Sequence, residues 1–171
     1  MQQSRRLVLI RHAEAESSGT TDAERALADT GRRDAEAGGA WLTAAGHGPT
    51  HAIVSSARRA QETWEALSSG GGWQVEADVS PLLYSAEPDT VLDLVREVPD
   101  AVGAVVVVGH NPTMAYLATM LDDGGGDPEA TTRLTEGGFP TCSIAVYEYD
   151  GAWVDIDVSS ARLVAFHVGR A

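Results

Sequence analysis

The sequence predicts an α/β fold of three layers (α/β/α), in which helices flank a central, mostly parallel sheet and a C-terminal β-hairpin follows. Strand and helix patterns alternate up to residue 121, which is typical of parallel strands joined by crossover helices. Residues 104–108 are continuously apolar, as expected of a central strand covered on both faces. The chain has 171 residues, the size of one domain with one sizeable core. We therefore expect residues 1–171 to form a single domain.

The first strand, over residues 7–10, is a short apolar run that leads into Arg11 and His12. The polar stretch over residues 14–21 contains Gly and Ser and predicts a loop on the same face as His12. Apolar residues at helical spacing then predict a helix over residues 29–45, which ends at a cluster of Gly and Pro.

The second strand, over residues 51–54, ends at Ser55, which can cap the next helix over residues 57–67. Three consecutive glycines interrupt the chain after this helix, and a third strand is predicted over residues 73–77. A helix over residues 88–98 follows, with its apolar positions facing the sheet.

The central strand leads directly into Gly-His-Asn-Pro-Thr, where Asn and Pro favour the start of a helix that reaches residue 121. The next stretch, residues 122–131, is acidic and glycine-rich, and it predicts a mobile surface loop. Residues 143–149 and 152–158 flank an Asp-Gly pair that suits a type I′ turn, which predicts the β-hairpin. Residues 163–168 predict one more strand.

The charge balance of the chain limits its partners. It carries 12 basic and 25 acidic residues, a net charge of −13, which argues against nucleic acid and against anionic membranes as partners. The longest apolar run is far too short for a membrane span. The single cysteine, Cys142, forms no internal disulfide, and no Cys/His cluster has metal-ligand spacing. We therefore expect a cytoplasmic protein that needs no metal and no other cofactor.

The pair Arg11 and His12 stands where open α/β sheets bind ligands, beyond the carboxyl end of a strand. A second histidine, His110, follows the central strand in the same way, and Arg59 lies at the start of a helix. A permanent cation beside an imidazole nucleophile suggests chemistry on an anion, with phosphate as the first candidate.

Four blocks of sequence carry a resemblance to a known family. Residues 11–13 read Arg-His-Ala where the family has Arg-His-Gly, and residues 25–31 match Arg-x-Leu-Thr-x-x-Gly except for Ala28. Residues 55–63 keep the serine, arginine, alanine and threonine of Ser-Pro-x-x-Arg-Ala-x-Gln-Thr. Residues 108–112 match Val-Gly-His-Asn-Pro completely. In this order and spacing, the chain resembles the histidine phosphatase (phosphoglycerate-mutase-like) superfamily, and within it the small SixA-like phosphohistidine phosphatases.

The resemblance implies a metal-independent phosphatase that forms a covalent phosphohistidine on its nucleophile. His12, neutral, attacks phosphorus, while its other ring nitrogen donates to a backbone carbonyl. The register of the third block selects Arg59 and not Arg58 as the active-site arginine. Four side chains are expected to be catalytic and two to bind substrate: His12, Arg11, Arg59 and His110, and Arg25 and Asn111, respectively.

The expected substrate is phosphohistidine in a protein. Larger relatives carry a glutamate that protonates an alkoxide leaving group, and residues 80–88 lack that acidic pattern. Glu87 or Asp78 could substitute, but nothing in the sequence singles out either. A phosphoramidate needs this acid less than an ester does, because imidazole leaves more readily. The alternatives are a broad-specificity phosphomonoesterase acting on a small phosphorylated metabolite, a less favoured phosphoglycerate mutase and a non-catalytic phosphate-binding protein.

Overall fold

The computed structural model describes residues 3–171, and its regular elements alternate as the sequence predicts. The strands are β1 (Arg5–Arg11), β2 (His51–Ser55), β3 (Ala77–Ser80), β4 (Ala104–Gly109), β5 (Ser143–Tyr149) and β6 (Arg162–Val168). The α-helices are α1 (Asp29–Ala44), α2 (Arg58–Gly71), α3 (Pro88–Arg96), α4 (Thr113–Leu121) and α5 (Pro128–Gly137). Short 3-10 helices lie at Asp22–Glu24, Pro81–Leu83 and Trp153–Asp155. None of the helices in residues 3–171 combines the length and the apolar character needed to cross a bilayer.

The six strands form one mixed sheet in the order β3-β2-β4-β1-β5-β6. The first four strands in this order pair in parallel, whereas β5 pairs antiparallel with both β1 and β6. Because side chains alternate across a strand, Leu7 and Leu9 join the core cluster that contains α3 and α4. Val8 and Ile10 join the cluster against α1 and α2 on the other face. The predicted three-layer α/β fold is confirmed.

The third strand lies later in the chain than predicted. Residues 73–76 contain no strand, and β3 pairs with β2 through Ala77 to Ser80. Helix α2 includes two of the three glycines and ends at Gly71. The next residue, Gly72, caps the helix in the left-handed conformation that favours glycine. The glycine run therefore ends the helix rather than preceding a strand.

The acidic segment after α4 is partly helical, which corrects the prediction of a loop over residues 122–131. Helix α5 begins at Pro128, and the Asp127 side chain accepts a hydrogen bond of 2.8 Å from the Glu129 amide. An aspartate cap followed by proline at the first helical position is a standard start signal. The acidic, glycine-rich composition masked this signal.

The predicted second strand of the hairpin, residues 152–158, is wrong. This segment contains a 3-10 helix whose Trp153 is fully buried, with its indole N–H donating to the Val102 carbonyl at 2.8 Å. The strand that pairs with β5 is β6, the additional strand predicted over residues 163–168. Burial of one large aromatic side chain outweighs the local preference of the Asp-Gly pair for a tight turn.

Candidate active site

Parallel pairing of β1 and β4 brings the two predicted site histidines together. In this register Arg11 lies opposite Gly109, and the His12 amide donates to the Gly109 carbonyl at 3.0 Å. His12 and His110 each follow the last residue of their strand, so their rings meet with centroids 5.2 Å apart. The two imidazoles share one crevice at the carboxyl edge of the sheet.

The ring of His12 is held with Nε2 facing the crevice. Its Nδ1 lies 2.7 Å from the Ala13 carbonyl oxygen, and since a carbonyl only accepts, Nδ1 carries the proton and donates. Nε2 therefore keeps its lone pair. The Cys142 amide donates to the His12 carbonyl at 3.1 Å and holds the backbone from the other side.

Thr63 connects the segment after His12 to helix α2. The sequence motif includes this threonine, but its hydrogen bonds are seen only in the structure. The buried Thr63 hydroxyl accepts from the Ala13 amide at 3.0 Å and donates to the Arg59 carbonyl at 2.7 Å. One hydroxyl, which both accepts and donates, thus links the backbone next to His12 to the backbone of Arg59.

Both imidazoles are neutral in the free protein. The pKa of His12 is lowered to about 4, chiefly by burial and also by the charges of Arg59, Arg11 and Arg25, while the bond to the Ala13 carbonyl opposes the shift. Burial and neighbouring cationic groups lower the pKa of His110 to about 3. A nucleophilic imidazole needs this uncharged form.

The pH dependence of activity follows from these values. The acid limb of kcat/KM reports the free enzyme, so activity is expected to persist below pH 6 and to fall as pH decreases through about 4, where His12 gains a proton. The profile is measured with substrate ionisation corrected separately and folding monitored by circular dichroism. An acid limb near the ordinary histidine pKa of about 6.5 would contradict the burial of His12.

His110 is oriented by Ser55 at the end of β2. The His110 Nε2 atom lies 2.7 Å from the Ser55 Oγ atom, which also accepts from the Ala57 amide at 3.2 Å. No other acceptor for the buried hydroxyl proton lies among the described residues, so this proton goes to Nε2. The His110 Nδ1 atom then carries a proton, and it is buried with no hydrogen-bond partner in residues 3–171. His110 Nδ1 is therefore a buried proton donor that makes no hydrogen bond within the described residues.

Replacement of Ser55 by alanine is expected to lower kcat about tenfold, because His110 loses the bond that sets its tautomer and orientation. Ser56→Ala is the matched control, since the Ser56 hydroxyl makes no hydrogen bond to the described residues, and it is expected to stay within about twofold of the parent. Steady-state kinetics of both variants on p-nitrophenyl phosphate provide the measurement. Equal activity of Ser55→Ala and Ser56→Ala would show that the orientation of His110 does not depend on Ser55.

Arg59 points into the crevice, whereas Arg58 points away from it. The Arg59 side chain is buried, and its Nε–H faces the His12 Nε2 atom at 3.4 Å. Arg58 is exposed and pairs with Glu62 on the surface of α2 at 2.7 Å. The structure therefore places Arg59, and not Arg58, beside the His12 ring.

Arg11 and Asn111 meet at the Phe139 carbonyl, which accepts from Arg11 Nη1 at 3.2 Å and from Asn111 Nδ2 at 2.8 Å. The Asn111 Oδ1 atom also accepts from the Ala115 amide at 3.2 Å. Each end of the Asn111 amide therefore makes one hydrogen bond within the protein, and the second hydrogen on Nδ2 makes none to the described residues. Helix α4 begins after Asn111 and Pro112, at Thr113, so Asn111 is not the residue directly before the helix. Asn111 thus supports the loop beside Arg11, and its role in binding substrate stays a prediction.

Arg25 reaches the crevice together with a carboxylate that the sequence did not single out. Arg25 Nε donates to Asp22 Oδ1 at 3.0 Å, and Arg59 Nη2 donates to Asp22 Oδ2 at 3.2 Å. The Tyr84 hydroxyl also donates to Asp22 Oδ2. This hydrogen bond, followed by the effect of the arginines, lowers the pKa of Asp22 to about 2. Asp22 and Tyr84 carry no motif, and only the folded chain brings them to the site.

The two acidic residues considered as proton donors lie in different places. Glu87 lines a cavity of about 230 Å³ that also contains Tyr84, His110 and Tyr116. Asp78 lines a separate depression with His51, at the opposite end of β2. Only Glu87 therefore shares a cavity with a candidate site histidine.

In the part of the chain that the structure describes, no group of three or more His, Cys, Asp or Glu side chains has the arrangement of a metal site.

The chain is similar to known proteins in both sequence and fold. The model of the histidine phosphatase superfamily (branch 1) matches residues 7–83. An uncharacterised protein of Mycobacterium tuberculosis strain H37Rv is 36% identical over 162 residues, which is 94% of this chain and 100% of that protein. The structure of a putative phosphohistidine phosphatase SixA from Nakamurella multipartitia is 30% identical with a TM-score of 0.81, covering 98% of each chain. A putative phosphohistidine phosphatase SixA from Agrobacterium tumefaciens is 26% identical with a TM-score of 0.77, covering 96% of this chain and 97% of that one.

Proposed function

Because this chain belongs to the histidine phosphatase superfamily, is SixA-like within it and is therefore a phosphatase, we propose that it hydrolyses phosphohistidine in proteins through a covalent phosphohistidine on His12. The observation that carries the proposal is the fixed orientation of the His12 ring. Its Nδ1 donates to the Ala13 carbonyl at 2.7 Å, and its Nε2 lone pair faces Arg59 across the crevice.

In the proposed first step, His12 Nε2 attacks phosphorus in line, and the bond from phosphorus to the leaving nitrogen breaks with its electron pair on that nitrogen. In the second step water attacks the phosphorus, the bond from phosphorus to Nε2 breaks with its electron pair on Nε2, and inorganic phosphate leaves with both protons of the water. His12 thereby returns to its neutral form.

Charge on the phosphoryl oxygens is stabilised by donors that surround the nucleophile. Arg11 and Arg59 supply permanent cations, and Arg25 adds a third at the mouth of the crevice. The buried Nδ1 proton of His110 donates without a net charge. Donors held in place before reaction stabilise the charge that spreads over these oxygens in the transition state.

The carboxyl group that contacts the crevice arginines cannot protonate a leaving group, which favours phosphohistidine over an ester in this proposal. Asp22 has a pKa of about 2 and is ionised near neutral pH, so it has no proton to donate. An imidazole that carries a proton on its other nitrogen leaves as a neutral ring and needs no such donor.

We also propose a phosphorylated protein of the cytoplasm as partner, in keeping with the single, buried cysteine.

A second candidate is a broad-specificity phosphomonoesterase, which one observation favours. Glu87 shares the cavity beside His110, so a substrate alkoxide bound there would lie near a carboxyl group. This function uses the same nucleophile and differs only in the leaving group.

The two candidates are separated by rates measured side by side on a phosphohistidine-containing protein and on sugar phosphates. The proposal expects the phosphoprotein to be dephosphorylated with the higher kcat/KM. Efficient cleavage of sugar phosphates, with the phosphoprotein untouched, overturns it in favour of the esterase. Loss of ester hydrolysis in Glu87→Gln would identify Glu87 as the proton donor of that second activity.

A further inference from the structure

The carboxylate of Asp22 lies at the mouth of the crevice. It contacts the guanidinium groups of Arg25 and Arg59, which are also proposed to bind the phosphoryl group. It accepts from Arg25 Nε at 3.0 Å, from Arg59 Nη2 at 3.2 Å and from the Tyr84 hydroxyl. Arg59 Nη1 also donates to the Asp22 carbonyl at 2.8 Å. The Asp22 side chain is nevertheless 57% exposed, so it faces whatever is attached to a bound phosphoryl group.

The charges around the crevice match a single phosphoryl dianion. Arg11, Arg25 and Arg59 contribute three positive charges, and both imidazoles are neutral because burial lowers the pKa of each. Asp22 is ionised and removes one charge, which leaves two positive charges on these four side chains together. A phosphoryl group with two ionised oxygens neutralises both, and no cation remains for a second anionic group.

We propose that Asp22 is a specificity-determining residue, whose carboxylate disfavours substrates carrying a second negative charge beside the phosphoryl group and favours those with a neutral or cationic leaving group. The inference rests on the proposed function, because it names what the same crevice selects. It would apply equally if the phosphoryl group were bound to oxygen.

The same carboxylate suits a phosphorylated imidazole. A ring that is phosphorylated on one nitrogen and protonated on the other is cationic, and a neighbouring carboxylate stabilises that form. When His12 attacks, the bond from phosphorus to nitrogen breaks, its electron pair stays on the ring, and the ring departs neutral with its proton. The carboxylate thus increases the fraction of substrate whose imidazole is protonated and can leave as a neutral ring. The carboxylate itself takes no proton.

The expected size of the effect follows from Coulomb's law. Two unit charges about 8 Å apart near a protein surface interact by an energy equivalent to about a thirtyfold change in binding, which solvent and salt reduce to about tenfold at an exposed carboxylate such as Asp22. The discrimination should therefore be measured at low ionic strength, where it is largest.

The test compares Asp22→Asn with the parent protein through competitive inhibition of p-nitrophenyl phosphate hydrolysis. Three inhibitors of similar size differ in the charge of the attached group: O-phosphoethanolamine is cationic, glycerol 3-phosphate is neutral and 3-phosphoglycerate is anionic. In the parent, inhibition is expected to weaken about tenfold from the cationic to the anionic compound. In Asp22→Asn this range is expected to shrink to about twofold, with 3-phosphoglycerate gaining the most.

Glu24→Gln is the matched control, because it removes one exposed carboxylate from the same 3-10 helix without touching the crevice arginines, and it is expected to keep the parent's order. A uniform change of all three inhibition constants in Asp22→Asn overturns the inference, since it would mean that Asp22 only orders Arg59. If the parent turns over neither p-nitrophenyl phosphate nor a phosphohistidine-containing protein, the proposed function fails. Calorimetric binding of the three compounds then tests the charge discrimination by itself.

Discussion

Replacement of His12 by alanine is expected to lower kcat by about 10⁴-fold or more, the largest effect of any single change in this chain. The variant lacks the only imidazole whose Nε2 lone pair faces Arg59 within the described residues. The covalent intermediate can no longer form, and removal of the transition-state donors alone has a smaller effect. Folding should be retained, because the neighbouring backbone bond between the Ala13 amide and Thr63 does not involve the imidazole.

The measurement combines steady-state kinetics with trapping of a ³²P-labelled intermediate in the parent protein. The label should be lost in acid, as a phosphohistidine is and a phosphoserine is not. His51→Ala serves as the control histidine change, because His51 lies at the opposite end of β2, and it should retain both turnover and labelling. Full turnover or unchanged labelling in His12→Ala would rule out His12 as the nucleophile.

Replacement of Arg59 by alanine is expected to lower kcat/KM by about 10²- to 10³-fold, corresponding to about 3–4 kcal/mol of lost transition-state stabilisation. Its guanidinium is buried beside the nucleophile, and no other arginine contacts the His12 ring by hydrogen bond in residues 3–171. Arg59→Lys is expected to recover only part of this loss, because an ammonium group cannot donate two parallel hydrogen bonds.

The neighbouring Arg58 provides the control for this experiment. Arg58→Ala removes the same chemical group one residue earlier, from an exposed ion pair with Glu62, and should leave kcat/KM within about twofold. Thermal unfolding of both variants shows whether the loss of activity reflects unfolding. A larger loss in Arg58→Ala than in Arg59→Ala would mean that the motif had been aligned one residue out of register.

Local patterns were sufficient for the elements that carry the nucleophile and its partners. The apolar runs of β1 and β4 predict two buried strands, and the motif residues stand directly after each of them. Two parallel strands that are adjacent in a sheet end at the same edge, so the meeting of His12 and His110 follows from the pattern once the sheet is assumed. The choice of Arg59 over Arg58 also came from the sequence, since a motif fixes spacing along a helix.

Sequence patterns were insufficient where tertiary packing outweighed local preference. The Asp-Gly pair at residues 150–151 favours a tight turn, but the turn is displaced because Trp153 is buried against the sheet. The capping aspartate and proline at the start of α5 were available in the sequence, and the glycine-rich surroundings obscured them. The side-chain roles of Asn111 and Ser55 depend on hydrogen bonds to distant or folded backbone, which no local pattern encodes.

The α/β class, the family and the four side chains now proposed to act on the phosphoryl group were all predictable from the sequence, because each strand pattern and each of the four motif blocks is short and local. Only the tertiary structure placed Asp22 against Arg59 and Tyr84, and Tyr84 is 62 residues away from it along the chain. The physical reason is the range of the interactions. Periodicity and spacing are local, whereas the charge balance of a crevice is a sum over groups that only folding brings together.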